Sequence, residues 1–210
     1  RGSMSPWQLQ ITVMNSMVLN SVRQKSVGPL SRISATDASV STGGATLTLK
    51  ASETGGTFDD VATGNLTVGA IVGSSSTGTI TFDVTTAGAG LIKLGSAVTS
   101  SGTIDFNTAV QLTGNVTLAA GAVDFDSTIN GDAAANNRAL TVNASGQTLF
   151  AGIVGATAAP GSITTDSAGS TKVSTTAITT TGNQLYNDAV KLNANVTFTG
   201  ASTAEINFGS

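Results

Sequence analysis

Neither histidine nor cysteine occurs among the 210 residues, so carboxylates are the only candidate acid–base groups. The same absence removes disulfides, thiolate nucleophiles and the usual zinc and haem ligands. Two carboxylates have suggestive spacing: Asp124 and Asp126 flank Phe125. In an extended strand both would leave the side opposite the phenyl ring, roughly 6–7 Å apart. Carboxylate pairs that cleave glycosidic bonds stand at comparable separations. Alternation along any half-buried strand gives the same arrangement, as at Asp105 and Asn107 in a matching segment, and no catalytic role is assigned. A calcium site would need about six to eight oxygens. Asp59-Asp60, which follow Gly55-Gly56, and the neighbourhood of Asn130 and Asp132 fall short of that, so no metal or cofactor ligand is assigned.

Threonine is abundant at 34 residues, and Thr-x-Thr pairs fall at Thr46/Thr48, Thr79/Thr81 and Thr197/Thr199, with Thr175, Thr176, Thr179, Thr180 and Thr181 nearby. An ice-binding surface would need such a pair at one position on every repeat, and the spacing lacks that regularity; threonine is also the ordinary exposed residue of strands. Four Asn-x-Ser/Thr sequons begin at Asn65, Asn115, Asn143 and Asn195, three of them inside a recurring strand motif that accounts for them. Asn107 and Asn187 are expected to cap turns. Phe58, Phe82, Phe106, Phe125, Phe150, Tyr186, Phe198 and Phe208 are expected in a stacked interior, leaving Trp7 as the one obvious exposed aromatic for a carbohydrate.

The elements that would carry these residues are strands. Asn65-Leu-Thr-Val68, Thr79-Ile-Thr-Phe82, Thr103-Ile-Asp-Phe106, Asn115-Val-Thr-Leu118, Ala139-Leu-Thr-Val142 and Asn195-Val-Thr-Phe198 all alternate apolar with polar, the period of two of a half-buried strand. Glycine or a Ser/Asn/Gly cluster separates nearly every pair, and no long window has helical periodicity. The body is expected to be all-β.

The chain also repeats itself. Gly102–Thr117 and Gly182–Thr197 share eight of sixteen positions without a gap, and Leu47-Thr-Leu-Lys-Ala-Ser52 echoes Leu140-Thr-Val-Asn-Ala-Ser145. Shorter echoes lie 24 apart (Gly78–Asp83 with Gly102–Asn107) and 50 apart (Gly64–Val68 with Gly114–Leu118). The long offsets of 80 and 93 would suit tandem β-sandwich domains. The short ones favour a right-handed parallel β-solenoid with coils of about 20–25 residues, each piling like side chains on like. Scarce charge fits, because like charges directly opposite one another are destabilising.

Residues 1–35 carry four basic residues and no acidic one, whereas 36–210 carry five basic and twelve acidic. That shift divides the chain into 1–35, a vector remnant (Arg-Gly-Ser-Met) plus an N-terminal cap or leader, and 36–210, the solenoid. Trp7, Leu9, Ile11 and Val13 alternate like a strand, while Met14, Met17 and Val18 have helical spacing; together they suggest an added strand or short helix covering one end. No 18-residue apolar run suggests a membrane span, and a net charge of −3 gives no reason to expect nucleic acid.

From Leu140 to Phe198 the chain resembles the repeats of large bacterial surface exoproteins of the filamentous-haemagglutinin type. The elements that carry the resemblance are Leu140-Thr-Val-Asn-Ala144, Phe150-Ala-Gly-Ile-Val-Gly155, Ser174–Thr180 and Thr180-Thr-Gly-Asn-Gln-Leu-Tyr-Asn-Asp-Ala-Val-Lys-Leu192. It implies a secreted or outer-surface β-helical segment of a longer adhesin-like chain, non-enzymatic, acting as a stiff stalk or presenting surface. Its expected partners are a host or neighbouring-cell receptor or glycan, with end-to-end self-association through open coil ends. The alternatives are a carbohydrate-active β-helix enzyme and an ice- or carbohydrate-binding module.

Overall fold

The computed structural model describes residues 91–209 in full and, upstream of them, only the backbone of strands lying between Gln8 and Thr85. Trp7, Phe58, Asp59 and Asp60 lie outside the described residues, as do Thr46, Asn65 and Thr79, and so do the side chains of Thr48, Thr81 and Phe82. The chain is a parallel β-solenoid. Each coil contributes one strand to each of three sheets, and each strand pairs with its counterpart one coil earlier and one coil later.

The first sheet, the phenylalanine face, stacks Thr103–Phe106, Ala122–Phe125, Gln147–Phe150, Ser170–Val173 and Ala189–Leu192. The aliphatic face stacks Ile92–Leu94, Val110–Leu112 and Ile129–Gly131, continues through single bridges at Val154, and resumes with Ala177–Thr179 and Thr197–Thr199. The threonine face stacks Val98–Ser100, Val116–Ala120, Ala139–Ala144, Ser162–Thr165, Gln184–Tyr186 and Ile206–Phe208. Upstream, Ile80–Thr85 extends the first sheet in register, Ile80 on Ile104 and Phe82 on Phe106, so the 24-residue echo is one coil.

Alternation explains why these short segments become strands. Thr103-Ile-Asp-Phe106 buries Ile104 and Phe106 completely and turns Thr103 and Asp105 outward. No coil can cover its own apolar side chains, so coverage comes from the coils above and below. Phe106, Phe125 and Phe150 form a column with ring centroids 5.0 and 5.5 Å apart and planes within 7°, offset enough for stacked rings to attract. Ile92, Val110 and Ile129 form the corresponding column on the aliphatic face.

Corners are held by backbone. Gly121 N–H donates to Gly102 O at 2.8 Å, Gly146 N–H to Gly121 O at 2.7 Å and Ser170 N–H to Gly146 O at 3.0 Å. A Cβ on Gly146 would stand 2.6 Å from the Gly121 carbonyl oxygen, so only glycine lets the coils close to hydrogen-bond distance there. Coil length varies because excursions are inserted between faces. Ile92, Val110, Ile129, Val154 and Ile178 are successive register partners, giving steps of 18, 19, 25 and 24 residues. The first long coil contains the exposed stretch 132–137, with a 3-10 turn at Ala134–Asn136 closed by Asn137 at φ 47°.

The two long repeats do not mark coils. Gly102–Thr117 and Gly182–Thr197 match strand for strand but on different faces: Phe106 lies on the phenylalanine face and Tyr186 on the threonine face, while Val110 and Val190 are also displaced by one face. The offset of 80 spans three and two-thirds coils, and so does the 93-residue offset from Leu47 to Leu140. The 50-residue echo likewise joins different faces. A strand plus its corner is thus interchangeable among the three sides, which is why 80 is no multiple of 24.

At the N-terminus, Gln8–Val13 pairs antiparallel with Leu47–Ser52, placing Leu9, Ile11 and Val13 opposite Ala51, Leu49 and Leu47. Val18–Leu19 is extended and antiparallel to part of Ala38–Ser41, so strand pairing replaces the helical spacing expected around Val18. Gln24–Ser26 turns back on Ser31–Ala35, which itself pairs in parallel with Leu66–Val68. These first three strands visit the sheets in reverse order and antiparallel, as an end layer on the coils.

Phe125→Ala, at the centre of the phenyl column, is expected to cost about 3–5 kcal/mol in urea unfolding. Phe208→Ala, at a residue 47% exposed, should cost far less.

Candidate functional site

The carboxylate pair singled out by spacing lies on the outer side of the phenylalanine face. Asp124 is half-buried on its strand, whereas Asp126 is exposed just beyond it, its N–H donating to Phe106 O at 3.1 Å. The register neighbour of Asp124 on the preceding coil is Asp105. The Asn107 side-chain amide lies 3.1 Å from both Asp105 carboxylate oxygens, with its nitrogen turned to donate. Asp105 and Asp124 are therefore like charges in direct register, with Asp126 two residues further along, the apposition that a chain scarce in charge was expected to avoid. Burial pushes the Asp124 carboxyl above its usual value; the Asp126 charge adds to this and Lys172 opposes it. The surface around them is an open outer face.

Asn130 and Asp132 have other partners. Asn130 Oδ1 accepts from the backbone N–H groups of Thr157 (2.9 Å) and Ala158 (3.4 Å), bracing the next coil. Asp132 is gripped by Arg138 through Nε at 3.0 Å and Nη2 at 2.8 Å, and accepts from Ala133 N–H at 2.9 Å. Hydrogen bonds from Arg138 and then Asn136 hold its carboxyl well below the usual carboxylate range. Among the described residues no group of three acidic, His or Cys side chains could hold a metal ion.

The sequon asparagines that the structure describes, Asn115, Asn143 and Asn195, are exposed, and Asn115 Oδ1 accepts from Ala139 N–H of the following coil at 3.0 Å. Asn187 Nδ2 donates to Thr165 O at 2.7 Å, a backbone bond that reaches to the preceding coil where a cap on its own turn was expected. Thr197 and Thr199 are exposed beside Ala177 and Thr179, so no flat threonine array forms there. A threonine row does exist elsewhere: Thr117, Thr141 and Thr164 are register neighbours on the threonine face. Beside Thr164 lies an open groove of about 540 Å³ lined by Asn137, Ser162, Thr181, Asn183 and Leu185, without a charged residue.

Aromatic residues divide between two clusters. Tyr186 stacks on Phe208 at 5.3 Å, and Phe198 meets both edge-on at 5.7 and 5.1 Å. Phe106, Phe125, Phe150 and Tyr186 are buried as expected, Phe198 is only partly buried, and Phe208 is exposed on the last described coil, a correction to its place in the interior.

Spacing gave no hint of a polar interior in the later coils. Asp188, 4% exposed, accepts from Thr165 Oγ1 at 2.8 Å and Thr171 Oγ1 at 2.9 Å. Gln184, fully buried, donates through Nε2 to Thr199 O at 2.8 Å and Thr180 Oγ1 at 3.1 Å, and its Oε1 accepts from the Tyr186 hydroxyl at 3.2 Å. Burial, with the Asp188 charge adding, raises the Tyr186 phenol well above its ordinary value, so it remains a donor. The signal was present in the aligned repeat: Ile104, Phe106 and Thr108 align with Gln184, Tyr186 and Asp188, so two apolar positions become polar and a third gains a charge. Every buried side-chain N or O among the described residues has a partner, so this network is complete as a structural element.

No protein-family model matches this chain, and no curated protein or solved structure proves similar to it.

The raised Asp124 carboxyl fixes a sign. The folded state holds that proton to higher pH than the unfolded state does, so its contribution is favourable in acid and is lost as pH rises through the folded value. Asp124→Asn should therefore raise the melting temperature at pH 7, and the gain should fade as pH falls below the ordinary aspartate range. A gain that persists unchanged in acid would assign it to something other than charge.

Proposed function

We propose that this chain is a non-enzymatic structural and adhesive segment of a bacterial secreted or cell-surface protein, a stiff stalk that presents its corners and outer faces. The observation that carries the reading is the in-register stack of coils. Two sheets run unbroken through the described coils, the aliphatic face is carried past Val154 by single bridges, and one apolar cluster runs from Ile92 to Tyr186. Such an assembly resists bending because successive coils are hydrogen-bonded to one another on all three sides, on the aliphatic side through single bridges at Val154. The resemblance of Leu140–Phe198 to filamentous-haemagglutinin-type repeats supports the surface assignment. The quoted elements fall on strands and corners: Leu140–Ala144 on the threonine face, Phe150 and Val154 on either side of a corner, Gln184–Tyr186 and Ala189–Leu192 on successive faces. Among the described residues no helix is long and apolar enough to cross a membrane.

A receptor or glycan on another cell is the partner this reading expects. End-to-end self-association belongs to it as well: Leu192 is 52% and Phe208 47% exposed on the last described coil, beside partly buried Phe198. An apolar coil end with free strand edges favours another coil, whether of the same chain or of a second copy.

Antibodies against the chain should label intact, unpermeabilised producing cells; labelling only after permeabilisation would contradict the surface assignment. Small-angle scattering should give an elongated particle. Leu192→Lys with Phe208→Lys should abolish concentration-dependent association at the coil end while leaving the circular dichroism spectrum unchanged.

A further inference from the structure

Four of the eleven charged side chains among the described residues stand in one register row on the outer side of the phenylalanine face. Reading coil by coil, the row is Asp105, Asp124, Leu149, Lys172, Lys191, each residue the direct strand partner of the next. Two negative positions, one apolar position and two positive positions follow at steps of about 4.8 Å. Asp105 sits directly beside Asp124, and Lys172 directly beside Lys191. Like charges opposite one another on paired strands are unfavourable, and alternating signs would serve an isolated solenoid better.

The pattern is antisymmetric about Leu149. We propose that the phenylalanine face is an interface between two copies of this chain, packed face to face with their solenoid axes antiparallel. The two-fold axis runs along the strand Gln147–Phe150, a rotation that keeps each position at the same height along the strand while reversing the order of coils. Under it Lys191 of one copy faces Asp105 of the other, Lys172 faces Asp124, and Leu149 faces its own counterpart. This is an isologous contact that closes at a dimer. Parallel side-by-side packing would set Asp over Asp and Lys over Lys, and is disfavoured by the same row. The neighbouring outward row, Thr103, Ala122, Gln147, Ser170 and Ala189, consists of small side chains apart from Gln147, so two sheets can approach to the usual separation of about 10 Å. A lysine and an aspartate span that gap. The inference is independent of the stalk reading and of end-to-end association, which uses Leu192 and Phe208.

Sedimentation velocity on the full chain across a concentration series tests it, at low salt and at about 1 M NaCl, where the screening length is roughly 3 Å. A dimer at low salt that dissociates at high salt is expected. Lys172→Glu with Lys191→Glu makes the row wholly acidic and should weaken the dimer about tenfold or more. Adding Asp105→Lys and Asp124→Lys to that variant restores the antisymmetry with signs exchanged and should restore the dimer. Circular dichroism confirms folding of each variant, and Phe208→Lys should leave the dimer intact. A wild-type chain that stays monomeric at low salt overturns the proposal. So does a four-residue exchange that fails to recover association while remaining folded, or association that is lost with Phe208→Lys.

Discussion

A coil of this chain cannot cover its own apolar side chains, and the rest of the molecule follows from that one shortage. Ile104, Phe106, Val123 and Phe125 reach zero or near-zero exposure only because the same positions recur one coil away. Vertical repetition then fixes the spacing, since backbone ladders on three sides set neighbouring coils about 4.8 Å apart. Everything at a corner must tolerate that spacing. Glycine stands at 121 and 146 because the carbonyl of the preceding coil occupies the place a Cβ would take.

The same constraint acts on polar groups. Inside, a buried carboxylate at Asp188 is accommodated by two threonine hydroxyls from the preceding coil, and Gln184 ties three backbone and side-chain partners to the Tyr186 hydroxyl. A hydrogen-bonded interior yields less from apolar burial than the phenyl and aliphatic columns before it, but it penalises any slip in register, because a one-residue shift would strand several buried donors at once. Outside, residues share the same rows, so a charge on one coil is felt by the next. Asp105 and Asp124 are direct register partners of that kind.

Much of the architecture was legible in the residues. Alternation located strands such as Thr103–Phe106, and the short echo between Gly78–Asp83 and Gly102–Asn107 reported the length of one coil, because both segments lie on one face, although other coils are as short as 18 and 19 residues. The longer and stronger repeats were misleading as a ruler. They preserve the strand-and-corner unit, which fits any of the three sides, and so spacing alone could not say which side a copy occupies. The carboxylate pair at Asp124 and Asp126 was found by spacing, yet its third member, Asp105, became a neighbour only through coil register. Asp188 was overlooked because its burial depends on two threonines that are distant in sequence and unremarkable in composition.

The absence of native cysteine permits a clean test of coil stacking. Thr117 and Thr141 are direct register partners on adjacent coils, with outward side chains. A doubly substituted chain, Thr117→Cys with Thr141→Cys, should form an intramolecular disulfide on mild oxidation, because parallel register partners lie within the Cα separation a disulfide spans. Thr103→Cys with Asn183→Cys, the positions aligned by the 80-residue repeat but set on different faces, should stay reduced. Cross-linking of the second pair but not the first, measured by mass spectrometry on the folded monomer, would contradict the stacked solenoid.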